Sequence, residues 1–134
     1  MDLIPYQSVG SIRFGMMPDE VETELGRPIA KTKNFLNEVK FVYPGFNVEF
    51  SAGGMEEVTI NSSQHVTIHG HSILESASGR DALLAMSKSK YQGNGSLVLM
   101  DIGVAMPDQD GPPFPLTAFA RDRMKPLLAN YEQL

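Results

Sequence analysis

The chain has no cysteine, and that one absence removes disulfides, thiolate zinc sites and thiol nucleophiles together. A domain without bridges suits a reducing compartment, so the cytoplasm is the expected location. Long apolar runs are missing too. No run approaches the ~20 residues that span a bilayer, and the opening MDLIPYQSVGSIRF has no basic leader followed by a continuous apolar stretch. Neither an export signal nor a membrane span is expected. Bases are scarce relative to acids: eleven Lys and Arg stand against sixteen Asp and Glu, for a formal charge of -5. Binding to a phosphate backbone needs clustered cations that release counterions, so nucleic acid is not an expected partner. What remains is 134 residues, the size of one domain, enough to bury roughly two-thirds of the unfolded surface without covalent staples.

Within that length the apolar residues fall into short periodic stretches. Val9, Ile12 and Phe14 stand among small or polar neighbours and read as a strand over residues 9–14. Gly15 and Met16 then lead into Pro18, which fits a first helical position because its missing N–H needs no partner there. Asp19, Glu20 and Glu22 occupy the turn where the helix dipole favours acids, and Val21 and Leu25 share a face. Gly26 offers a left-handed cap and Pro28 prevents continuation. Beyond it, Val39, Phe41 and Tyr43 alternate with Lys40 and Val42, Pro44-Gly45 turns the chain, and Phe46, Val48 and Phe50 alternate with Asn47 and Glu49. Gly53-Gly54 marks another turn into a strand with Val58 and Ile60 inward and Glu57, Thr59 and Asn61 toward water.

The second half reads in the same order. Val66 and Ile68 lead to Gly70, Ser78 and Asp81 form a capping pair for a helix carrying Leu83 and Met86, and Gly93-Asn94-Gly95 turns the chain into Leu97 and Leu99. Ile102, Val104 and Met106 form a strand ended by Pro107, and Phe119 lies near the end of another. Gly15 and Gly70, Val48 and Val104, and Ile60 and Phe119 are landmarks at nearly constant separation, which points to internal duplication over about 9–60 and 66–119. Met124, Leu127, Leu128 and Tyr131 recur at helical spacing and predict a C-terminal helix over about 122–133. The expected fold is therefore α+β in a single domain, 1–134: two diverged units of a helix plus antiparallel strands, with the helices packed on one face of a sheet.

The stretch FGMMPDEVETELGRP, through Gly15, Met16, Glu20, Val21, Leu25, Gly26 and Pro28, resembles the repeated unit of the β-lactamase-inhibitory-protein-like fold and of the small lipoprotein of outer-membrane assembly. The second copy departs from it, since Lys88 stands where the Leu-Gly-x-Pro ending belongs. The resemblance implies a sheet covered by helices on one side and used to bind proteins. Small doubled bacterial proteins of this kind also resemble cytosolic immunity proteins, which neutralise toxins delivered between competing cells.

Several constellations are candidates for chemistry. His65, His69 and His71 fall on one side of a possible strand opposite Val66, Ile68 and Gly70, and imidazoles two residues apart can share zinc, nickel or copper. The bland alternative is a polar strand face in water, and a proton-sensitive contact patch is a further one. Gly70-His71-Ser72 starts like a nucleophile elbow, but Leu74 stands where glycine is required. Gly93-Asn94-Gly95-Ser96 lacks the lysine of a phosphate cradle and reads as a hairpin turn. Asp108, Asp110 and Gly111 mimic the start of a calcium loop, but prolines follow in place of spaced oxygens.

No constellation outweighs its bland alternative, so the expected function is non-enzymatic and without a cofactor: a protein-binding module, namely an immunity protein that inhibits a cognate bacterial toxin by direct binding. The contact residues expected for it are Glu20 and Glu24 on the first helix, with Asp108, Asp110 and Phe114 on the proline-rich loop over 107–115, because acidic rims steer basic partners and aromatics anchor them. The alternatives are a small metal- or ligand-binding protein using the histidine strand, and an interaction subunit of a housekeeping complex.

Overall fold

The computed structural model describes residues 1–61, 65–73 and 78–134, with the side chain of Leu127 left out. Three two-residue strands open the chain, β1 (Leu3–Ile4), β2 (Ser8–Val9) and β3 (Ile12–Arg13), as a small antiparallel sheet. Helix α1 (Pro18–Leu25) follows, then β4 (Ala30–Lys33), β5 (Val39–Tyr43), β6 (Phe46–Ser51) and β7 (Gly54–Ile60). A hairpin of β8 (Thr67–Ile68) and β9 (His71–Ser72) precedes helix α2 (Ser78–Met86). The chain ends with β10 (Lys90–Gly93), β11 (Ser96–Leu99), β12 (Val104–Pro107), β13 (Leu116–Phe119), a 3-10 helix (Lys125–Asn130) and β14 (Glu132–Gln133).

Nine of these strands make one antiparallel sheet in the order β14-β10-β11-β12-β13-β7-β6-β5-β4. Its centre is the pairing of β13 with β7, where Leu116 faces Ile60 and Ala118 faces Val58. Alternation decides which side of the sheet is dry. Phe41, Val48, Val58, Ala118, Val104 and Leu97 are buried in one core that also takes Val21 from α1, Leu83 from α2 and Leu3, Val9 and Ile12 from the opening strands. On the opposite face Phe119 is fully buried beneath Tyr6, the rings edge to face with centroids 6.0 Å apart.

This arrangement corrects the expected fold class. The protein is mostly antiparallel β around one large sheet, and not two helix-plus-strand units with helices laid over a sheet. Each helix is followed by strands linked hairpin to hairpin, yet the strands do not close into separate units, because β7 and β13 pair and carry the hydrogen-bond ladder straight across. The helices are short, and each buries a single large apolar side chain completely, Val21 in α1 and Leu83 in α2. Hydrophobic alternation specifies which face a strand buries but not which strand it pairs with.

Smaller differences have local causes. The strand expected over 9–14 is two strands, since Val9 pairs with Ile12 and Gly10, at φ 60°, turns the chain between them. The C-terminal helix expected over 122–133 is a 3-10 helix of six residues followed by β14, which pairs with β10. Among the described residues no helix is long and apolar enough to cross a membrane.

Candidate protein-docking site

The β4–β5 hairpin ends in a five-residue tip, Asn34 to Glu38, and the asparagine organises it. The Asn34 Oδ1 atom accepts from the Leu36 N–H at 2.9 Å and from the Glu38 N–H at 3.0 Å, while its Nδ2 donates to Glu38 Oε1 at 2.9 Å. Backbone bonds from Asn34 to Glu38 and from Asn37 to Asn34 complete the loop, with Asn37 at φ 60°. Asparagine suits both tasks, because its side chain mimics a backbone turn and its backbone tolerates the left-handed region. These bonds hold the loop in shape, and its two apolar side chains are left largely open to solvent: Phe35 is 94% exposed and Leu36 is 64% exposed.

Behind the tip lies an apolar groove of about 470 Å³ walled by Met17, Pro18, Leu36, Val39, Phe50 and Ala52. The start of α1 forms one lip. There the Met17 N–H donates to Glu20 Oε1 at 3.1 Å, which satisfies a donor left open by helix geometry. The Glu20 carboxylate is thus held beside Met17.

The underside of the hairpin is ionic. Lys40, Glu49 and Glu57 stand opposite one another across β5, β6 and β7 and so share a sheet face. Glu49 faces Glu57 while Phe50 faces Met55, which leaves Glu56 as the extra residue of a β-bulge and turns its side chain toward the same cluster. Arg123, from the segment after β13, holds the acids together. Its Nε donates to Glu57 Oε1 at 3.0 Å, and its Nη1 lies 3.2 Å from Glu56 Oε1 and 3.5 Å from Glu38 Oε2. Burial raises the pKa of Glu57, and the hydrogen bond with Glu49 raises it further. Glu56 is raised by burial and then by its contact with Glu38, whereas Glu38 is lowered, first by the hydrogen bond from Asn34. Glu57 was expected to face water; the arginine and the bulge place it in this cluster instead.

The residues expected to make the contact lie on two elements, α1 and the loop over 107–115. Glu20 is engaged in capping α1, and Glu24 is exposed on the same helix. Asp108 is tied inside its own neighbourhood, accepting from Gln92 Nε2 with Arg80 Nη2 at 3.8 Å. Asp110 is exposed, and Phe114 is half-buried, packed against the core. The histidines do not line one strand face. Ile68 pairs with His71, so His69 and Gly70 form the two-residue turn between β8 and β9, with φ of 51° and 80°. Among the described residues no group of three or more metal-ligating side chains is assembled. The turn at Asn94-Gly95 is the hairpin expected there, with Gly93 opposite Ser96.

No family model, curated protein or solved structure matches this chain. The tip itself went unread in the sequence. Its signal is an apolar pair enclosed by turn-formers, Asn34-Phe35-Leu36-Asn37, inside a stretch with no alternation to mark a strand.

Proposed function

We propose that this chain is a non-enzymatic protein-binding module whose contact is made by the tip of the β4–β5 hairpin. One observation carries the reading: Phe35 and Leu36 are adjacent, largely exposed and mounted on a loop whose own hydrogen bonds hold it in shape. Single exposed apolar side chains need no explanation. An adjacent aromatic and aliphatic pair on a preorganised loop is the arrangement that anchors an interface, because little ordering entropy remains to be lost on binding. The finer reading is an immunity protein that neutralises a cognate bacterial toxin; the resemblance of the Gly15–Pro28 stretch to protein-binding folds and the negative charge support it.

A photo-crosslinking amino acid placed at position 35 in the native cell tests both levels. The expected result is a single stoichiometric adduct whose protein partner is toxic when expressed alone and is neutralised by the wild type but not by Phe35→Asp. A non-toxic partner would overturn the toxin reading and keep the binding module. Absence of an adduct at 35, or full neutralisation by Phe35→Asp, would overturn the tip as the contact.

A further inference from the structure

We infer that the tip of the β4–β5 hairpin is moored to the sheet through a proton: Glu38 is held while Glu56 carries one, and the mooring loosens when Glu56 loses it. This rests on the reading of the tip as the contact surface and adds its regulation. One carboxylate joins the two places. Glu38 Oε1 accepts from Asn34 Nδ2, the side chain that organises the tip, while its Oε2 lies 3.5 Å from Arg123 Nη1. Glu56 Oε1 lies against that same nitrogen at 3.2 Å, and the Arg123 Nε–H donates to Glu57. Three carboxylates thus share one guanidinium, and Glu38 is the farthest of them. A single positive charge does not neutralise three negative ones, so a proton taken up within the group relieves their repulsion.

Glu56 is placed to take it. It is the extra residue of the bulge, and its Oε1 is buried without accepting a hydrogen bond despite the guanidinium nearby. Protonated, Glu56 can donate to Glu38; ionised, it meets Glu38 as a like charge. The other charges around the pair come from each packed element. Lys33 on β4, Lys40 on β5 and Glu49 on β6 line a small cleft with Glu38, Glu57 stands on β7, and Arg121 and Asp122 border the hollow that Glu56 and Arg123 line. Arg121 lies over the Tyr6 ring, 4.4 Å from its centroid. Burial and then the contact with Glu38 raise the pKa of Glu56, against the Ser51 hydroxyl and Arg123, while Glu38 is lowered, first by the Asn34 bond and then by Glu56. The two groups are pushed apart, so at mildly acidic pH Glu56 is protonated while Glu38 is ionised. The mooring is strongest in that window. It is lost as pH rises through the raised value of Glu56, and again as pH falls through the lowered value of Glu38.

The test is amide hydrogen exchange of the free, intact chain by NMR, corrected for the intrinsic rate at each pH. Protection of the Leu36 and Glu38 amides should be at least about threefold higher near pH 5 than at pH 7.5, the factor produced when a pKa changes by about half a unit on opening. The Met100 amide, bonded to the Ser89 carbonyl at the base of the β10–β11 hairpin, should not follow. The midpoint of the change should coincide with titration of the Glu56 carboxyl carbon. Glu56→Gln supplies a permanent neutral donor and should hold protection at its acid level up to pH 7.5. Equal protection at both pH values, a midpoint that follows Glu57 instead, or pH dependence retained in Glu56→Gln would overturn the inference, and the first two need no variant to fold. A tip that responds to protons without any adduct at position 35 would support the mooring and remove the contact. An adduct at 35 with protection indifferent to pH would do the reverse.

Discussion

Gly54 shows how little room a single position leaves. Its φ is 99°, and a Cβ built there would sit 2.3 Å from the Gly15 carbonyl oxygen and 2.9 Å from that of Met16. These carbonyls belong to the chain crossing β7, where the Gly15 N–H donates to the Met55 carbonyl and the Met55 N–H to that of Met16. Gly54→Ala should therefore destabilise the protein by about 3 kcal/mol or more, since both backbone strain and steric overlap oppose it; urea unfolding measures this. A second residue-scale expectation concerns the paired acids. The folded pKa of Glu57 is raised, so its contribution to stability is present at acid pH and is lost as pH climbs from the ordinary carboxylate range through the raised value. Glu49→Gln removes the like charge opposite it and should stabilise the protein at pH 7 by about 0.5 kcal/mol, with the gain vanishing near pH 4. NMR titration should show the Glu57 pKa moving back toward its ordinary value. Equal gains at both pH values would contradict the coupling.

Among the elements, α1 was the most legible and the tip of the β4–β5 hairpin the least. The bounds Pro18–Leu25 follow from a proline, first-turn acids, an apolar pair four apart and a terminal glycine, and all of these signals are local. Strands β5 and β6 were legible for the same reason, their alternation and the Pro44-Gly45 turn being contained in the sequence itself. Edge strands β4 and β14 were not, because Ala30–Lys33 is exposed throughout and Glu132–Gln133 is too short to carry a period. The carboxylate cluster was equally hidden, depending on Arg123 meeting residues 66 to 85 positions away in the chain. The tip is an element whose order comes from one side chain. Asn34→Ala removes three side-chain hydrogen bonds and should cost about 1–2 kcal/mol, with faster hydrogen exchange at the Leu36 and Glu38 amides. Phe35→Asp should leave stability within about 0.5 kcal/mol of wild type, as expected for an exposed site, while partner release quickens by an equivalent of about 2 kcal/mol. An unfolded Phe35→Asp variant would show that the tip is structural and not a contact.

At the scale of the whole molecule, the β7–β13 pairing makes one cooperative body of strands that lie far apart in sequence. Unfolding should follow a single transition by fluorescence and circular dichroism alike, with the slowest exchanging amides in β7 and β13. Two resolved transitions would mean that the sheet divides at that pairing after all. Such non-local pairing was beyond reach of the sequence, where each stretch advertises its buried face but not its neighbour. The sheet also stays open, ending in β4 on one side and β14 on the other. The outer strand β4 has four residues and carries Lys31 and Lys33, and lysine on an outer strand is a common defence against another chain adding to the ladder. Replacing both lysines with valine should remove that defence and let molecules add to one another edge to edge at high concentration, visible as rising light scattering and thioflavin fluorescence.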